Sequence, residues 1–77
     1  MTAAQIEIRN TVAKFIEEHK LDEAVRWLAE RHPHSYFTVL KKPHCSAILE
    51  HVVECTSFLP EDADVGTRAW HLLNGKT

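Results

Sequence analysis

An all-α fold, a small bundle of four to five short helices, is what this 77-residue sequence predicts. Three observations carry the expectation. Apolar residues recur at helical spacing along most of the chain, and helix-start signals precede them. A single strand-like run, "SYFTVL" (residues 35–40), has no second run to pair with, and an unpaired strand leaves its backbone groups unsatisfied. With only three Pro and two Gly, and 44% apolar residues, the chain has the composition of one compact domain spanning residues 1–77 and not of a disordered tail.

The first helix is expected over residues 3–19. Thr2 with Gln5 three positions later forms a capping box, and Ile8, Val12, Phe15 and Ile16 then share one face. A second amphipathic segment opens at Leu21. Asp22 and Glu23 suit the positive end of a helix dipole, and Leu21, Ala24, Val25 and Leu28 make the apolar stripe, with Trp27 extending it. Pro33 disfavours helical geometry at His32, so this helix ends near Arg31. The "SYFTVL" run then reads as a short helix capped by Ser35, with pairing to its own copy across a dimer as the other solution.

Pro43 suits the first position of a further helix, in which Ile48, Leu49, Val52 and Cys55 lie on one side. Phe58 and Leu59 form an apolar tail before Pro60. The acids of "PEDAD" suit a helix start, and Val65, Ala69, Leu72 and Leu73 keep helical spacing up to the terminator Asn74-Gly75. Gly66 costs about 1 kcal/mol inside a helix, which moves the expected start of the last helix to Thr67. Phe15, Leu28 and Val52 are expected in the core. Cys45 and Cys55 are expected to be reduced thiols on the inner side of their helix, since a cytosolic setting disfavours a disulfide.

Charge is unevenly distributed about a net value of −2. Residues 1–30 carry six acids against four bases; residues 31–49 carry three bases, three histidines and no acid; residues 50–64 carry five acids and neither Lys nor Arg. A molecule with one positive and one negative region favours charged partners. "MTAAQIEIRN" has no basic region followed by an apolar stretch, so it does not read as a signal peptide, no run is long enough for a membrane span, and a cytoplasmic location is expected.

The segment "RHPHSYFTVLKKPHC" (residues 31–45) admits three functional readings. As a metal centre it would draw on His32, His34 and His44 together with His51 and Cys55, which are four apart on one helix side. No Cys-x-x-Cys pair or spaced Cys/His doublet accompanies them, so no metal and no cofactor is expected. As a recognition element, "LAERHPHSYFTVLKK" (residues 28–42) resembles the middle of a helix-turn-helix motif. Leu28-Ala29, Ser35 and Thr38-Val39 fall at that family's spacing. The resemblance implies a DNA-binding transcriptional regulator in which Ser35 to Lys42 enters the major groove, with Tyr36, Phe37 and Lys41 nearest the DNA. The chain departs from the pattern at Pro33, which stands for the glycine of the turn, and at His32 and His34. It also offers no Arg, Asn or Gln to base edges.

The third reading is a protein-binding surface. Tyr36, Phe37, Trp27 and Trp70 exceed what so small a core encloses, and aromatics beside Arg31, Lys41 and Lys42 have the composition of an interaction hot spot. A Gly-rich phosphate loop is absent, and a His51/Cys55 pair without an oxyanion donor does not make an enzyme. The sequence therefore reads as a small, non-catalytic regulatory or inhibitory protein that docks on a larger protein partner through Trp27, Arg31, Tyr36, Phe37, Lys41 and Lys42. The helix-turn-helix regulator is the alternative.

Overall fold

The computed structural model describes residues 2–75, and all regular structure among them is helical. Helix α1 runs Ala3–Glu17, α2 Leu21–Arg31, α3 Tyr36–Val39, α4 Ser46–Cys55 and α5 Val65–Asn74, with a 3-10 turn over Pro43–Cys45 leading into α4. Helix α2 is the hub and packs against α1, α3, α4 and α5. Its stripe of Ala24, Val25 and Leu28 is fully buried, as are Ile48 and Val52 of α4 opposite. Phe15 lies at the margin of this core, half-buried. No helix among the described residues is long and apolar enough to cross a membrane.

Several helix ends depart from the sequence expectation. The Thr2–Gln5 capping box forms in both directions, as read from the sequence. Helix α1 stops two residues short of the expected end because His19 takes a left-handed conformation with φ 58°. The His19 N–H then bonds the Ile16 carbonyl and the Lys20 N–H bonds the Phe15 carbonyl, the paired closure that usually employs glycine at this position. Helix α3 forms where a short helix was expected, but the Ser35 side chain makes no capping bond; backbone bonds from Ser35 and Tyr36 to the His32 carbonyl set its entry instead. Helix α5 begins at Val65 and not at Thr67, since the Asp64 carboxylate accepts the Thr67 N–H at 2.7 Å and offsets the cost of Gly66 in the first turn. Hydrogen bonding from the Thr67 side chain and then its backbone N–H, with the Lys41 charge, holds the Asp64 carboxyl below its ordinary range.

One polar device sits inside the bundle. Arg68, only 7% exposed, donates to the Thr56 carbonyl at 2.9 Å, the Thr56 hydroxyl at 3.1 Å and the Pro60 carbonyl at 3.0 Å. Thr56 itself donates back to the Val52 carbonyl. The guanidinium thus adds a charged donor to carbonyls that also accept the Leu59 and Ala63 N–H groups, and it ties the irregular link between α4 and α5 to the start of α5.

The two cysteines are not alike. Cys45 is buried, and burial pushes its thiol up to about 11. Cys55 is exposed, which corrects the expectation that both thiols face inward: it stands at the last position of α4, on the flank it shares with His51 and not on the buried stripe of Ile48 and Val52.

Candidate partner-binding surface

The six residues singled out in the sequence fall into three places. Trp27 and Arg31 belong to the α1–α2 side. The Trp27 ring is half-buried, tilted against Phe15 at 6.4 Å and edge-on to His32 at 6.0 Å. The Arg31 guanidinium lies 5.8 Å above the same ring and pairs with Glu7 at 3.2 Å. Both side chains therefore already have partners within the chain. Lys42 lies elsewhere, beside Arg9, Val39 and His44. Burial and the charges of Arg9 and Lys42 hold the His44 imidazole below its ordinary range.

The third place is different. Tyr36 and Phe37 are edge-on at 5.7 Å, and Tyr36 leans on the core while Phe37 turns outward. Phe37 and Lys41 then line an open groove whose opposite wall is the start of α5, formed by Asp64, Gly66, Thr67 and Trp70. Gly66 forms part of the groove beside Phe37: a Cβ built there would stand 3.8 Å from Phe37 Cβ, an ordinary contact. Beyond the groove, Trp70 meets His71 edge-on at 5.1 Å, and His71 meets Phe58 edge-on at 5.7 Å. Phe37, Trp70 and Phe58 are 38%, 56% and 70% exposed, so an aromatic stripe crosses this side of the molecule and faces solvent.

Sequence reasoning named Tyr36, Phe37 and Lys41 and counted Trp70 among the surplus aromatics, but it placed Phe58 in an apolar tail and missed Thr67 and Asp64. A signal existed for Trp70. It lies outside the stripe of Val65, Ala69, Leu72 and Leu73, and so on a flank of α5 that the core does not claim. Nothing in the local pattern could have brought Phe37 across to α5, because that contact depends on how α3 docks.

No protein-family model matches this chain, and comparisons with curated proteins and with solved structures likewise return no match.

Proposed function

We propose that this is a small, non-catalytic regulatory or inhibitory protein of the cytoplasm that docks on a larger protein partner through the groove between α3 and α5. The observation that carries the reading is the exposure of Phe37 and Trp70 on facing walls of one groove, with Phe58 continuing the stripe. Large aromatics at such positions cost solubility and contribute little to a fold; in a partner's pocket they are the residues that contribute most to binding. Lys41 on the groove supplies positive charge beside this stripe, and suits a partner whose contact region is acidic; Lys42, on its other side, faces Arg9 and His44. Asp64, in the same groove, tempers that charge locally.

The test is capture of partners from the native host with the full chain and with its Phe37→Ala and Trp70→Ala variants. A protein retained by the parent and lost with both variants supports the reading. A capture profile unchanged by both substitutions contradicts it. The helix-turn-helix alternative uses the same segment, but its reading helix spans only Tyr36–Val39, about 6 Å of helix axis. A mobility-shift assay at low salt addresses that reading directly: steeply salt-dependent duplex binding, lost on replacing Lys41 and Lys42 by Glu, would favour DNA as the partner.

A further inference from the structure

A carboxylate, an imidazole and a thiol converge where α2 passes α4, well away from the aromatic groove. His51 and Cys55 are one helical turn apart and project from the same side of α4. Asp22 reaches them from the first turn of α2. The three ligand-type atoms lie within 4.8 Å of one another. Asp22 Oδ1 stands 2.5 Å from His51 Nε2, and Cys55 Sγ stands 3.5 Å from that same nitrogen against 3.9 Å from Nδ1.

We propose that Asp22, His51 and Cys55 form a surface zinc site with three protein ligands and a fourth position open to water. A proton relay of thiol, imidazole and carboxylate requires the two outer groups to address opposite ring nitrogens. Here both approach Nε2, which is the arrangement of ligands around a shared point. The set matches what zinc takes, and with bonds of about 2.0–2.3 Å tetrahedral donors stand roughly 3.3–3.6 Å apart. The sulfur–nitrogen separation already meets that spacing. The Asp22 oxygen must open by under about 1 Å from its hydrogen bond to reach it, and its side chain, 70% exposed, turns without displacing the core.

The charge distribution points the same way: the carboxylates of Asp22 and Glu54 surround the Cys55 thiol with negative charge. A divalent cation turns that negative surrounding into an attraction and replaces the thiol proton, which leaves to solvent, while His51 presents Nε2. Asp22 and His51 also line a depression with His19, Lys20 and Glu23. The sequence-level expectation of no metal rested on the absence of a Cys/His doublet. It could not include Asp22, which lies 29 residues before His51 and on another helix.

The reduced, metal-stripped full chain is titrated with cobalt(II) and then zinc(II). One cobalt per chain is expected, with a thiolate-to-cobalt charge-transfer band that zinc displaces and that Cys55→Ser abolishes. Asp22→Ala and His51→Ala each weaken zinc binding by about tenfold or more, and Cys45→Ala leaves it unchanged because Cys45 is buried. Far-UV circular dichroism shows that each variant remains folded, and zinc raises the melting temperature of the parent but not of Cys55→Ser. Absence of the charge-transfer band in the parent, or zinc affinity unchanged in both His51→Ala and Cys55→Ser, overturns the proposal.

Discussion

Two aromatic–cationic regions of this molecule use the same residue types to opposite ends. On the α1–α2 side, Arg31 stacks on Trp27 and pairs with Glu7, and Trp27 packs on Phe15 and His32. On the α3–α5 side, Phe37 and Trp70 face each other across a groove with Lys41 beside them and turn substantial area to solvent. Composition alone does not tell which region is left free to bind a partner. What separates them is whether the chain itself has already supplied the contacts that a partner would make.

The largest effect expected is a stability contrast between the interior and the groove. Leu28→Ala, at a fully buried position of α2, should cost about 2–5 kcal/mol, a large part of what so small a domain has. Phe37→Ala and Trp70→Ala should cost about 1 kcal/mol or less. Chemical denaturation measures all three, and a groove variant as damaging as Leu28→Ala would mean that those aromatics belong to the core.

Next in size is Arg68. Replacing it by Met keeps the aliphatic stem but removes the charged donor that the Thr56 and Pro60 carbonyls share with the Leu59 and Ala63 N–H groups, at a cost of about 1–3 kcal/mol. Amide exchange in residues 56–64 should accelerate more than in α2. Uniform acceleration would show that Arg68 acts through general packing alone.

A smaller effect sharpens the comparison itself. Glu7→Gln removes the carboxylate that Arg31 holds, and both partners are exposed, so the loss should be under about 1 kcal/mol and should shrink with added salt. A larger, salt-independent loss would give this pair a structural weight that its exposure does not suggest.

The smallest effect is a pH dependence at His44. Its folded imidazole titrates below the ordinary 6.5, through burial first and then the charges of Arg9 and Lys42. The unfolded chain therefore binds the proton more readily. The stability contributed by neutral His44 is complete above about pH 6.5 and is lost as pH falls through the lower folded value. Imidazole NMR titration should show this, and Lys42→Gln should raise the folded pKa; an unchanged value in that variant would remove Lys42 from the cause.

The helices were legible because their periodicity and caps are local. Thr2 with Gln5, the stripe of Leu21 to Leu28 and the stop before Pro33 all act within a few residues. Boundaries failed where a side chain or one backbone angle reversed the local tendency, as at His19 and at Asp64 before Gly66. The candidate surface was half legible. Tyr36, Phe37 and Lys41 stand in one short segment, but the wall that completes the groove comes from α5, and the engagement of Arg31 comes from Glu7 on α1. Pairings across 24 or 29 residues leave no trace in a local pattern.

The most direct test of the central claim is site-specific photo-crosslinking in the native host. A photoreactive phenylalanine analogue is placed in turn at Phe37, at Trp70 and at Trp27. Binding through the α3–α5 groove predicts one common protein adduct from positions 37 and 70 and none from position 27. An adduct from position 27 alone would contradict the account and move the binding surface to the α1–α2 side.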